Sequence, residues 1–225
     1  MTFSVIGHCT RTNMTGVAIT TSSICVASRC PWVRAGVGAV ATQNVTDPSL
    51  GPLLLDYLQK DMSPQEALDK VTTGRANINY RQLTLVDTKG GAAHYTGTEI
   101  LGTNKVVMGE RCVAAGNLLS TEAVSQAMVD QFAAEADLHL AERLMLALKA
   151  GVAAGGEEGP THSAGLKVAH EQSWPLVDLR VDWSDDDPVK ELYQIWRAYE
   201  AEMDAYTTRA LNPAAAPSYG VLGDL

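Results

Sequence analysis

The first 44 residues constrain the fold more than any other part of the chain. Thr2 to Asn44 reads TFSVIGHC, a turn RTNM, TGVAITTSS, a cysteine-bearing connector and AGVGAVATQN. Short apolar runs separated by turn residues predict three strands of one curled sheet. The first strand starts almost at the beginning of the chain, so residue 2 is expected at the edge of a sheet rather than on a loose tail. That residue is Thr2, preceded only by Met1. Removal of Met1 would leave an α-amine and a hydroxyl on one residue, and threonine is small enough for methionine aminopeptidase to be expected to accept it in second position.

Downstream, the pattern switches between strand and helix in blocks. Thr20, Thr21, Ser22 and Ser23 put four hydroxyls at the end of the second strand. They either cap the strand end or stand beside the start of the neighbouring strand, near Thr2. Gly36 and Gly38 in the third strand imply a bend or a close backbone approach. Asp47 before Pro48 predicts a helix from Pro48 to Lys60, kinked or delayed at Gly51–Pro52. Ser63-Pro64-Gln65-Glu66 forms a capping box with proline at the first helical position. Gln82–Asp87 and Ala92–Thr96 flank Lys89-Gly90-Gly91, a hairpin signal. Val106–Ala115 reads as one further strand. Helices are expected from Ser120 to Phe132 and from Leu138 to Lys149, with Gly155, Gly156 and the loop Glu157–Pro160 following. Strands at His162–Ala169 and Leu176–Val181 precede one long helix. It opens at Asp185–Pro188 and carries a stripe of Leu192, Ile195, Trp196, Tyr199, Met203 and Tyr206. Strands and helices grouped in this way predict two stacked sheets with a helical layer outside each. A single domain over residues 1–208 is expected, followed by an extended Pro/Ala-rich tail over 209–225.

Composition narrows the function classes. The chain has 225 residues, 46 % hydrophobic, and a net charge of −9. Its pI is near 5.0, and no basic stripe invites nucleic acid. No apolar run reaches the roughly 20 residues of a membrane span, and no signal peptide is evident. The four cysteines, Cys9, Cys25, Cys30 and Cys112, form no CxxC pair and read as reduced thiols in a cytoplasmic protein. A disulfide from Cys9 to Cys25 or Cys30 cannot be read from spacing. His8 and Cys9 are adjacent on a strand and point to opposite faces. A metal site from His8, His94 and His162 would need their strands to adjoin, and no metal or other cofactor is expected.

TFSVIG, RAGVGAVATQN, DPSLGPLLLDYL, AAGNLL and HSAGL resemble the family catalogued as domain of unknown function 1028. That family is placed among the N-terminal-nucleophile (Ntn) hydrolase-like proteins. The resemblance implies an α+β fold, a four-layer αββα sandwich of two mainly antiparallel sheets between helical layers. It also implies a chemistry. In active members the first residue of the mature chain is Thr, Ser or Cys; its side chain attacks an amide carbonyl and its own α-amine acts as the base. Such an amine has a pKa of roughly 8, low enough to be partly neutral at pH 7. Thr2 is thus the candidate nucleophile and base. Gln43, Asn44 and Asn117 are candidate oxyanion donors, Asn117 being equally readable as a turn residue or cap. Ser22 and Ser23 match the place where such proteins hold the terminal amine. Arg29 or Arg34 could grip a substrate carboxylate, or form surface pairs with Asp47 or Asp56. Two functions of different kinds follow. One is hydrolysis of a small-molecule amide or related C–N bond; the other is a non-catalytic Ntn-like domain that binds a small ligand or serves as a scaffold. A homodimer or higher homo-oligomer is expected in either case.

Overall fold

Residues 2–221 are described by a computed structural model; Met1 and residues 222–225 lie outside the described residues. The chain runs β1 (Thr2–Cys9), β2 (Met14–Thr21), β3 (Pro31–Arg34) and β4 (Gly38–Asn44), then α1 (Leu50–Leu58) and α2 (Pro64–Thr72). It continues with β5 (Arg81–Asp87), β6 (Ala92–Thr96), β7 (Lys105–Gly109) and β8 (Cys112–Asn117), then α3 (Ala123–Ala134) and α4 (Leu140–Ala153). The last block is β9 (Ser163–Ala169), β10 (Val177–Val181), α5 (Pro188–Glu200) and α6 (Met203–Leu211).

Among the described residues ten strands divide into two antiparallel sheets. One has the order β10-β9-β2-β1-β8-β7 and the other β3-β4-β5-β6. Three apolar clusters separate the layers. Phe3, Val5, Ala114, Leu144 and Trp196 belong to the cluster between the larger sheet and α3, α4 and α5. Ile6, Val17, Ile19, Ala39, Ala41 and Val86 fill the space between the sheets. Leu83 and Leu85 of β5 pack with Leu50, Leu54 and Leu68 from α1 and α2. The architecture is the expected four-layer αββα sandwich. Both faces of each sheet are covered, which is why all eight residues of β1 are buried and its polar alternation is weak.

Several local expectations change. Thr2 is not on an edge strand: β1 pairs with β2 on one side and β8 on the other, so the residue sits at the end of a central strand. The first three expected strands do not share a sheet either. Cys25 adopts a left-handed conformation ahead of a short 3-10 turn at Val26–Ser28, and the chain passes there to the second sheet, where AGVGAVATQN forms β4. A Cβ at Gly38 would lie 2.2 Å from the Val86 carbonyl oxygen, so this strand pairing requires glycine. Val106–Ala115 is a hairpin instead of one strand, because Glu110 and Arg111, the latter at φ 57°, turn the chain between β7 and β8. Pro52 does not kink α1, since it occupies the first turn, where its missing N–H has no helical partner. The capping box at Ser63 and Glu66 is present with both of its hydrogen bonds.

The long last helix is broken at Ala201–Glu202 into α5 and α6. Leu192, Trp196 and Met203 of its expected stripe are buried, whereas Ile195 and Tyr206 are exposed. The tail is not extended as far as it is described: Arg209 donates to the carbonyls of Pro217 and Ser218 and stacks on Tyr219, folding the segment back.

Candidate functional site

The starts of β1 and β5 and the ends of β2, β4 and β8 meet at one rim of the sandwich, as the antiparallel registers require. Thr2 lies opposite Asn117 of β8, and its hydroxyl is 3.1 Å from that of Thr21 on β2. Because strand side chains alternate, Thr2 and Ser4 share the face that looks toward the second sheet. Ser4 Oγ donates to Gln43 Oε1 at 2.8 Å, and Gln43 Nε2 donates to Gln82 Oε1 at 2.7 Å. Gln82 Nε2 closes the chain on the Gly116 carbonyl at 3.2 Å, and Asn117 Nδ2 reaches Gln82 Oε1 at 3.5 Å. Ser4, Gln43, Gln82 and Asn117 are all buried. Glutamines at this depth are tolerated because the network satisfies them, and it ties the two sheets together beneath Thr2.

Two buried acceptors at this rim are not satisfied. Asn117 Oδ1 has no hydrogen-bond partner. Neither oxygen of Glu157 has one, although the residue is only 7 % exposed. Three contacts place Glu157. It forms a β-bridge with Leu119, two residues past Asn117. The preceding Gly156 lies against the Phe3 ring. Ser22, next to Thr21, acts on its carboxyl through its N–H and its hydroxyl. Glu157 therefore neighbours the flanking residues of Thr2, Thr21 and Asn117. Burial drives its pKa up to about 8, against the opposing pull of the chain's terminal ammonium and, after it, of the Ser22 N–H and hydroxyl. Together with Phe3, Thr161 and Asp186 it walls a cleft of about 300 Å3. Thr2 itself is 5 % exposed and is not in that wall.

The other sequence candidates are distributed differently. Gln43 is inside the network, where its Oε1 accepts from Ser4 and one amide N–H donates to Gln82, holding the sheets in register. Asn44, at φ 71°, points away: it donates to the Tyr80 carbonyl and accepts from the Leu101 N–H, pinning a loop. Ser22 is at the rim beside Glu157. Ser23 is exposed, and its carbonyl receives the Ser163 hydroxyl at 2.6 Å. Arg29 donates to the carbonyls of Ile24 and Cys25 and closes the connector. Arg34 lies at the opposite end of β4 from Gln43, in a surface ion pair with Asp56 at 2.8 Å. Of the histidines, His162 is at this rim, stacked on Trp183 and bonded to the Ser184 carbonyl. His8 is at the far end of β1 and His94 on the second sheet. Among the described residues no group of three or more His, Cys, Asp or Glu side chains is arranged to hold a metal, and the four cysteines are free thiols.

Ser4, Gln82 and Glu157 are the additions that sequence reasoning missed. Gln82 carried a signal: Gln82 and Thr84 alternate with Leu83 and Leu85, which puts amide and hydroxyl on the inward face of a buried strand. Glu157, in GGEEGP, carried none, because its burial comes from the packing of a loop against β8 and Phe3.

The DUF1028 family model, described as a family of unknown function, matches residues 2–192. A crystal structure of a Silicibacter pomeroyi protein under the same family model is similar, with a TM-score of 0.81 at 32 % identity over 88 % of both chains. Anbu (ancestral beta-subunit) from Yersinia bercovieri aligns at a TM-score of 0.38 and 11 % identity, over 91 % of this chain and 97 % of that one, too weakly to carry an argument. No curated protein matches the chain.

Proposed function

Because the chain belongs to the DUF1028 family, whose function is unknown, we propose its activity from the rim itself: hydrolysis of a small-molecule amide or related C–N bond by Thr2, after loss of Met1. The freed α-amine takes the Thr2 hydroxyl proton as Oγ1 attacks the carbonyl carbon. The C–N bond then breaks, the departing amine carries away the proton held by the α-ammonium, and water hydrolyses the threonyl ester. Asn117 is the register partner of Thr2 on β8, the Thr21 hydroxyl lies 3.1 Å from that of Thr2, and Ser22 and Glu157 stand beside this pair.

The observation that supports this reading is the unsatisfied buried acceptor opposite Thr2, Asn117 Oδ1. A buried acceptor without a donor costs about 1–3 kcal/mol. Asn117 Oδ1 carries that cost at the rim where processing would put an ammonium with three N–H donors on Thr2 itself. The reading sets the protein in the cytoplasm, as a homo-oligomer acting on a small molecule, with no cofactor, nucleic acid or membrane.

One observation favours a second reading, a non-catalytic domain that binds a ligand or serves as a scaffold: Thr2 is 5 % exposed and stands behind the cleft wall rather than in it. The two readings separate in a screen of amides, imides and ureido compounds with protein whose Met1 is absent by intact mass. Hydrolysis predicts turnover that falls about a thousandfold or more in Thr2→Ala and survives within about tenfold in Thr2→Ser. Turnover unchanged in Thr2→Ala removes Thr2 from the chemistry, and ligand binding without turnover favours the second reading.

A further inference from the structure

β1 has a second end. Cys9 lies seven residues from Thr2, about 23 Å along an extended strand, and the cleft there belongs to a different part of the molecule. Its volume is about 330 Å3, and its walls include Arg11, Arg111 and Arg143. The Arg11 and Arg143 side chains lie on the helix-facing side of the sheet with Cys9, whereas the Arg111 guanidinium lies against His8 and Gly90 on the side facing the second sheet. Among the described residues none of the three makes an ion pair with a carboxylate; Glu110 and Asp137 line the same cleft without pairing to them.

The arginines are held by neutral groups. Arg11 Nη2 donates to the backbone carbonyls of Asp137 and Leu138. Arg111 Nη1 lies 3.4 Å from His8 Nδ1. His8 Nε2 is 3.2 Å from Asn13 Oδ1, an acceptor, so the ring proton sits on Nε2 and Nδ1 accepts from Arg111. Arg143 is only 7 % exposed. It stacks on Phe132 at 3.9 Å and donates to the Phe132 carbonyl, while its Nε has no partner. The field of this group reaches its neighbour. Burial raises the pKa of Cys9, but hydrogen bonds from Thr12 and Arg11 and the charge of Arg143 outweigh it, and the net shift is downward.

A buried guanidinium with a free donor, beside an exposed arginine held in place by carbonyls, is arranged for an anion that the chain does not itself supply. We propose that this cleft binds a phosphate group, free or at the end of a small metabolite, through Arg11 and Arg143. The planar donor fork of arginine matches phosphate oxygens in pairs. The proposal is independent of any chemistry at Thr2.

Titration calorimetry of the full-length protein tests it, with inorganic phosphate and glycerol 3-phosphate as probes and chloride at matched ionic strength as the control. Saturable 1:1 binding is expected for one or both probes, weakened at least tenfold in an Arg11→Gln variant that melts as the parent does. Tighter binding of glycerol 3-phosphate would assign the phosphate to a metabolite, and tighter binding of inorganic phosphate to the free ion. The Arg11 side chain is exposed and donates only to loop carbonyls; should Arg11→Gln not fold, Arg11→Lys carries the test. No saturable heat from either probe, or binding unchanged in the folded variant, overturns the proposal.

Discussion

Glu157 is the residue whose surroundings demand most explanation, and its titration can be followed without a substrate. Its folded pKa of about 8 is above the ordinary value of 4.5. Folding therefore favours the protonated form. The stabilising difference is full below pH 4.5, declines as pH rises toward 8, and is gone above it. In protein that retains Met1, denaturant melts from pH 5 to 8 should show a loss of stability that Glu157→Gln removes. The variant should then exceed the parent at pH 8 by about 2–4 kcal/mol. Identical pH profiles would show that the carboxyl is solvated. Asn117 and Thr2 face each other in the same register, so Asn117→Ala should weaken substrate turnover while leaving Thr2 processing intact. Intact mass and rate, measured on one preparation, check both halves.

At the scale of elements, the sequence was legible wherever a local rule was in charge. The Ser63–Glu66 box, the hairpin around Gly90, closed by Asp87 accepting from the N–H groups of Lys89 and Gly91, and the Asp187-Pro188 start of α5 all depend on neighbours within four residues. What was not legible depends on distant ones. That β1 is central, that β4 belongs to the opposite sheet and that Glu157 is buried all follow from pairings between segments far apart in sequence. The docking of α5 is of the same kind. Trp196 Nε1 and the Tyr193 hydroxyl donate to the two oxygens of Glu142 on α4, at 2.6 and 2.7 Å. Hydrogen bonds to a charged acceptor contribute about 1.5–3 kcal/mol each, and Trp196 is fully buried. Glu142→Ala should cost about 2–4 kcal/mol and Glu142→Gln less, because the amide keeps one acceptor. Chemical denaturation with tryptophan fluorescence reads the difference; equal, small losses in both variants would mean that apolar packing alone holds α5.

For the whole molecule, the central relation is between a sandwich closed on both faces and a rim at which polar groups from both sheets converge. The family match ends at residue 192, before α5 is complete, whereas Leu192, Trp196 and Met203 still belong to the main core. The fold is therefore expected to need residues through α6 and not the segment beyond. Deleting residues 212–225 should move the melting temperature by no more than about 2 °C, and size exclusion of the same protein tests whether the tail clasps a partner copy. A changed assembly with unchanged melting would assign the tail to subunit contact. The account as a whole rests on exposure of the Thr2 amine, and the most direct test is the intact mass of the protein isolated from the cells that naturally make it. A mass short by one methionine residue, with the chain beginning at Thr2, is the result predicted. A mass that retains Met1 throughout the active population would contradict it.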